Sequence, residues 1–411
     1  MTKKLFIIAP PPTPNGGLHI GHLSGPYLSA DIYSRVFRHL YDEIHFCVST
    51  DDNQTYVDTT AKKLGVETKK LIEQASQDIK ETFLQYNIKP SFFGVQDSKY
   101  NTYVAEFYNK LILSGQVSIE KITVLHNIKN NTYPVESFIS GFCKYCYDQS
   151  NGGICETCGF PNNGYDLLYK KDGENFRESK DKRLVIDLEK YRCELENFFS
   201  SVYMRPELNV FVNKILSSAL PKIPLTYRLE RGINLEAKDL SNQALNVWAE
   251  MFPGHIYFLN KSSTSKKIKN TKYVQFFGFD NSFFYVFLHI ALYFAALKSG
   301  IKLPDVSDIY SNQFYYLDSS KFSTSKGHVI WANDLSVKYN TDIIRLYLAM
   351  NAPEFEEGAF SKIHFKKEIT RMAGIINSIV GYYNCTNHLS VASEKKNTTK
   401  KYNLALSIPS P

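Results

Sequence analysis

Two imidazoles three residues apart, His19 and His22, flank Gly21 in the segment Pro14-Asn15-Gly16-Gly17-Leu18-His19-Ile20-Gly21-His22. The segment follows an apolar run, Leu5 to Ala9, and precedes an amphipathic stretch, so it sits where a first strand gives way to a helix. A helix start offers unpaired N–H groups and the positive end of the helix dipole, which suits a phosphate. Gly21 lets a ligand approach the backbone closely. Histidines at i and i+3 share one face of the first turn and can point at one ligand. Without that setting they would be read as ordinary surface or core residues.

Three further clusters carry chemistry. Lys321-Phe322-Ser323-Thr324-Ser325-Lys326-Gly327 forms a loop of cations and hydroxyls, and Thr50-Asp51-Asp52 ends a strand. Of the seven cysteines, four form Cys143-x-x-Cys146 and Cys155-x-x-Cys158, while Cys47, Cys193 and Cys385 are scattered. Without a secretion signal, such spacing points to metal rather than disulfides. Four thiolates close a tetrahedral Zn²⁺ site with no open position, so the zinc is expected to fold its segment and perform no chemistry.

These groups need elements to hold them. Strand Leu5–Ala9, a Pro/Gly-rich turn, a helix from about Ile20 to Leu40 and a second strand, Glu43–Ser49, read as the start of a βαβ unit with a parallel sheet. A helix is read over Tyr100–Ser114. Residues 116–225, with the cysteines, many Asn and Gly and the polar run Lys170–Arg183, read as an insertion between two halves of one sheet. The βα pattern returns with strand Val274–Phe277, helix Phe283–Leu297 and a helix over Thr341–Met350. Apolar Ile363, Ile369, Met372, Ile376 and Ile379 predict one face of an amphipathic helix, and the polar tail beyond Asn387 predicts disorder.

Composition sets outer limits. The 411 residues, 43% hydrophobic and 22% charged, fit a globular protein larger than one ordinary domain. The net charge of +7 is compatible with RNA or a phosphorylated ligand but falls short of a dedicated nucleic-acid binder. The N-terminus imitates a signal peptide, yet its apolar run is short and meets Pro10-Pro11-Pro12. Phe283–Leu297 carries His289 and is too short to span a bilayer. A cytoplasmic protein with no membrane partner is expected.

Pro-x-Pro-Asn-Gly followed by His-Ile-Gly-His resembles the adenylate-forming signature of class I aminoacyl-tRNA synthetases, and the Lys321 loop resembles that family's second, lysine-serine signature. Together, in that order, they are far more specific than either alone. The resemblance extends along most of the chain and points to the methionyl branch. It implies a Rossmann-like parallel-sheet catalytic domain of the α/β class, split into 1–115 and 226–320 by the zinc-bearing connective insertion 116–225. A lysine-serine loop and stem-contact region follows over 321–360, and a short C-terminal helical segment and polar tail over 361–411. The implied reaction is attack of an amino acid carboxylate on the α-phosphorus of ATP, with Mg²⁺ on the departing pyrophosphate and transfer of the aminoacyl group to tRNA. His19, His22, Lys321, Ser323, Ser325 and Lys326 carry over as catalytic, and Asn15, Gly21, Gly278 and Asp280 as ATP-binding. Asp51, with Asp52 next to it, carries over as the partner of the substrate α-amino group.

Departures from the pattern bear on substrate choice. The family's second loop lysine is Thr324 here, with Lys326 a nearby replacement charge, and the family lysine between Gly278 and Asp280 is Phe279. In the amino-acid pocket Trp248 is kept, but Met251-Phe252-Pro253-Gly254-His255 replaces Ala-Pro-Ile-Gly-Tyr, a family tyrosine is Thr13 and a family histidine is Tyr285. Either the Tyr/His pair has exchanged places as His255 and Tyr285 and methionine is still read, or the pocket takes another acid. The residues after Lys326 suffice for a linker and one or two helices, so the helical bundle that reads the anticodon is expected to be largely absent. Three functions follow: a compact methionyl-type synthetase, a paralogue with another amino acid or a non-tRNA acceptor such as a carrier protein or small amine, and a non-catalytic nucleotide-, RNA- or partner-binding paralogue.

Overall fold

The computed structural model describes residues 3–263, 270–318, 320–322 and 328–390, the side chains of Lys321 and of 384–390 excepted. Its centre is a six-stranded sheet in the spatial order Tyr203–Met204, Asp305–Asn312, Thr271–Gly278, Lys4–Ile8, Glu43–Ser49, Phe92–Gly94. Every pairing in it is parallel. Such strands are covered on both faces and read as continuous apolar runs, as Leu5-Phe6-Ile7-Ile8 does. Alternation still sorts the side chains: Phe6, Ile8, Tyr273 and Phe277 enter one core, while Leu5, Ile7, Val274 and Phe276 enter the other. Strand order reverses between Lys4–Ile8 and Thr271–Gly278, so ligands belong beyond the carboxyl ends of these strands.

Several elements differ from their sequence reading. The helix expected over Ile20–Leu40 is a short turn, Ile20–His22, a π-turn, Leu23–Tyr27, and a regular helix, Leu28–Val36, closed by a 3₁₀ turn at Phe37–His39. Pro26 lacks the N–H that would continue an α-ladder, and Gly25 takes the non-helical backbone that the break requires. Phe283–Leu288 is likewise π-helical before the regular helix His289–Lys298. The C-terminal helix runs Lys362–Ser390, past the start of the expected tail, and residues 391–411 of that tail lie outside the described residues. Phe365, Ile369, Met372 and Ala373 form its buried stripe, whereas Ile363 and Ile379 are exposed. The helical period favours 365, 369 and 372 on one face, and Ile363 falls off it.

Residues 116–225 carry an antiparallel sheet in the order Lys222–Pro224, Phe176–Asp187, Ser118–Asn127 and two small hairpins, Ser140–Phe142 with Gln149–Asn151 and Gly153–Ile154 with Pro161–Asn162. Tyr203–Met204 leaves this stretch to join the edge of the central sheet. After the sheet, Tyr315–Leu317 pairs with Ser320–Lys321 and with Gly358–Phe360. That small sheet anchors the first residues of the lysine-serine loop.

Candidate active site

At the carboxyl end of Lys4–Ile8 the chain turns through Thr13 to Asn15, whose N–H reaches the Thr13 carbonyl at 2.9 Å, and enters the helix at His19. The two histidines cap each other. His19 N–H donates to His22 Nδ1 and His22 N–H donates to His19 Nδ1, both at 3.3 Å, and the rings stack with centroids 3.7 Å apart. Because each Nδ1 accepts, each proton sits on Nε2, where it is a donor for a ligand. Burial, with the neighbouring imidazole, lowers His19 to about 2, and burial lowers His22 to about 4. At neutral pH the pair is uncharged and offers two N–H groups in fixed geometry.

The lysine-serine loop begins against this pair. Phe322, the residue after Lys321, stacks on His19 with centroids 4.8 Å apart and planes 8° apart. A Cβ on Gly21 would lie 3.0 Å from the His19 ring and 3.0 Å from Phe322, so glycine permits the three-way contact. Past the loop the chain returns: Ile20 N–H donates to Ile330 O at 3.1 Å, Ala332 N–H donates to Leu18 O at 2.9 Å, and the Trp331 ring lies against Gly16 and Gly17. Both ends of the loop therefore close on the helix start. Ser323, Thr324, Ser325 and Lys326 lie outside the described residues.

A second group collects at the ends of Glu43–Ser49 and Thr271–Gly278. Asp51 is buried and its Oδ1 has no hydrogen-bond partner. Burial, followed by the nearby Glu250, Glu136 and Asp52, drives its carboxyl well above the usual range, against the pull of Arg231. Asp52 Oδ1 is also unpartnered, and burial raises that carboxyl. Glu250 is held by Asn53 Nδ2, at 3.1 and 2.9 Å from its two oxygens, and by the Tyr100 hydroxyl at 3.1 Å, and burial pushes it up to about 7. Arg231 grips this turn, donating to Asp58 at 3.0 Å twice and to the Asp52 carbonyl. So dense a set of carboxylates around one orphaned oxygen favours a cationic ligand.

Gly278 begins the turn Phe279–Asn281, and a Cβ there would meet Asp280 Oδ1 at 2.5 Å. Tyr27, whose hydroxyl donates to Pro10 O at 3.0 Å, has its phenol pKa raised by burial and by the nearby Asp51 and Asp280 carboxylates.

The residues expected to form the amino-acid pocket pack into the core. Trp248 stacks on Phe284 at 4.5 Å, and Met251 and Phe252 are buried beside it. The His255 and Tyr285 rings face each other at 6.1 Å. His255 Nδ1 meets the Tyr273 hydroxyl at 3.3 Å, while His255 Nε2 and the Tyr285 hydroxyl are buried without partners. Burial keeps His255 neutral.

In the insertion, the four thiol sulfurs lie within 4.8 Å of one another, the one cluster of metal-ligating groups among the described residues. Cys143 Sγ–Cys158 Sγ is 3.7 Å and Cys146 Sγ–Cys155 Sγ is 3.6 Å. Tetrahedral zinc at about 2.3 Å from each sulfur needs sulfur pairs about 3.8 Å apart. The donor set fits that ion, and Tyr145 N–H donates to Cys143 Sγ at 3.4 Å as a partner for a thiolate.

Sequence reasoning gave no role to Phe322, Trp331, Glu136 and Gln275, and met Glu250 only as the end of Val247-Trp248-Ala249-Glu250, which resembles the family's Val-Trp-x-Asp/Glu segment. Trp331 is one of only two tryptophans, and Gln275 interrupts the apolar strand Tyr273-Val274-Gln275-Phe276-Phe277, so both carried a signal. Gln275 is fully buried with both amide atoms unpartnered. Glu136 carried none, because a carboxylate in a turn is ordinarily solvated.

The methionine–tRNA ligase of Chlamydia abortus is 27% identical over 383 residues, covering 89% of this chain and 68% of that protein. That of Pyrococcus horikoshii is 28% identical over 387 residues, covering 87% of this chain and 53% of that protein. The chain spans 52% of the corresponding Flavobacterium johnsoniae ligase. Mycobacterium tuberculosis methionyl-tRNA synthetase in complex with methionyl-adenylate shares the fold, with a TM-score of 0.70, 17% identity and coverage of 89% of this chain and 68% of that one. The family model described as "tRNA synthetases class I (M)" matches residues 5–386, from the first strand into the C-terminal helix, and the chain belongs to that family.

Proposed function

We propose that this chain activates methionine with Mg·ATP and passes the methionyl group to tRNA. The observation that carries the reading is the meeting of the helix start with the lysine-serine loop, His19 stacked on Phe322, at the reversal of strand order. In the activation step a methionine carboxylate oxygen forms a bond to the α-phosphorus, the bond to the bridging oxygen breaks, and pyrophosphate leaves. The residues position reactants and match charge as it shifts. His19 and His22 donate from Nε2 to phosphate oxygens, Lys321 with Ser323, Ser325 and Lys326 approaches from the other side, and Asn15 and Gly21 border the phosphates. Gly278 and Asp280 hold the ribose. Asp51 Oδ1 accepts from the substrate ammonium, with Asp52 adding negative charge. Zinc on Cys143, Cys146, Cys155 and Cys158 holds the two hairpins together, with every position filled by protein.

A second reading, activation of a different amino acid, is favoured by the pocket floor, where Thr13, Trp248, Met251, His255 and Tyr285 depart in part from the methionyl pattern and two polar atoms lack partners. ATP–pyrophosphate exchange with each amino acid, repeated as tRNA charging, tests both. Methionine-dependent exchange with stable charging is expected. Exchange with another acid selects the second reading, exchange without charging points to a non-tRNA acceptor, and no exchange with any acid overturns both in favour of a binding role.

A further inference from the structure

Glu136 lies between the cysteine cluster and the amino-acid site, and nothing in the reaction above uses it. It opens the 3₁₀ turn Glu136–Phe138, a few residues before Cys143, yet it is only 4% exposed. Its φ is +47°, a left-handed conformation that a residue with a Cβ adopts at a cost. The surroundings hold it there. Gly152 N–H donates to its carbonyl at 3.1 Å. A Cβ on Gly152 would lie 2.9 Å from Glu136 N, and one on Gly153, whose φ is +92°, 3.1 Å from Glu136 Cγ. Gly152 and Gly153 belong to the segment joining the two cysteine pairs, so the backbone of the metal knuckle clamps this glutamate.

The carboxyl end of the side chain points the other way, out of the insertion. Oε2 accepts from the Thr55 hydroxyl at 3.2 Å, and Thr55 Oγ1 in turn accepts from Ser137 N–H at 3.3 Å. Thr55 is the first residue of the helix Thr55–Leu64, four residues after Asp51. The nearby Trp248 indole favours the charged carboxylate, while Oε1 is buried without a hydrogen-bond partner. One side chain thus hydrogen-bonds the helix start that follows Asp51 and lies near Trp248.

We infer that Glu136 is a positioning residue for the amino acid, holding the Asp51 turn in its binding geometry from a backbone clamped by the cysteine knuckle. The inference rests on the activation reading. It makes the insertion a working part of the substrate site.

The test uses the full chain with Glu136→Ala, Glu136→Gln and Gly153→Ala, each checked for zinc content and thermal melting. Methionine binding is measured by calorimetry and kinetics by ATP–pyrophosphate exchange. Glu136→Ala should raise the methionine Kd and KM by between about 10- and 100-fold, the weight of a buried hydrogen bond to a charged group, with kcat and the ATP KM unchanged. Glu136→Gln keeps an acceptor oxygen and should recover much of the loss. Gly153→Ala, with zinc retained, should reproduce the methionine defect without touching the carboxylate. Methionine affinity within twofold of wild type in a folded Glu136→Ala or Gly153→Ala protein overturns the inference, as does an equal loss of methionine and ATP affinity with lowered melting. Wild-type protein that binds and exchanges no methionine removes the activation reading itself, which is a separate failure.

Discussion

The neutrality of His19 and His22 decides how they can work. A charged imidazole attracts phosphate at any angle, whereas a neutral Nε2–H acts only along its own direction, and the reciprocal caps fix that direction. Alanine at either position should lower exchange by about 10²- to 10³-fold, as loss of a preorganised donor does, while melting stays near wild type. Because burial depresses both groups, to about 2 and about 4, neither changes charge between pH 6 and pH 8, and the ATP KM should be flat across that range. The methionine KM should behave otherwise. Glu250 and Glu136, raised by burial to about 7, lose their protons as pH rises through 7, adding negative charge around the ammonium site, so the methionine KM should fall over the same interval. An ATP KM that rises with pH near 6.5 would contradict the histidine assignment. At this scale the sequence was informative where residue types are unusual for their position, as with the glycine between two histidines. It was silent where chemistry comes from burial, as at Glu136, because burial depends on elements far along the chain.

The elements convert these side chains into a cleft. Gly21 and Phe322 meet only because the small sheet Tyr315–Leu317, Ser320–Lys321 and Gly358–Phe360 delivers the loop to the helix start. Gly21→Ala would push a Cβ into two rings at 3.0 Å and should cut exchange by at least about tenfold, read with saturating ATP and methionine. The strands were legible because apolar runs of parallel strands stand out, and Glu43–Ser49 has the same limits in sequence and structure. The breaks at Leu23–Tyr27 and Phe283–Leu288 were not, since a single π-turn inside a helix offsets the spacing only locally and an apolar run such as Phe283–Leu288 shows no periodicity to disturb. The cysteine hairpins have only Leu125, Ile139 and Leu167 as a small buried cluster nearby, so zinc on the four thiols would supply much of their stability. Purified protein should carry one zinc per chain by atomic emission. A strong chelator should release it and lower the melting temperature, and a metal-free chain with unchanged melting would refute the assignment.

For the whole molecule, the order of strands matters more than any single contact. The reversal between Lys4–Ile8 and Thr271–Gly278 brings residues from positions 19, 51, 280 and 322 to one end of one sheet, although they are far apart in the chain. The sequence could suggest that arrangement only through resemblance, because periodicity reveals strands but not their neighbours. A net charge of +7 adds a second expectation. Transfer to tRNA should weaken steeply as salt rises from about 50 to about 200 mM, while exchange with methionine changes little, because counterion release acts on the polyanion alone. The central claim is that helix start and loop close around the triphosphate of ATP in a shared cleft. Methionine-dependent ATP–pyrophosphate exchange, measured side by side for wild type and His19→Ala, tests it most directly. Robust exchange in the wild type and a loss of at least about 10²-fold in the variant is the predicted result. Equal rates in the two proteins would contradict it.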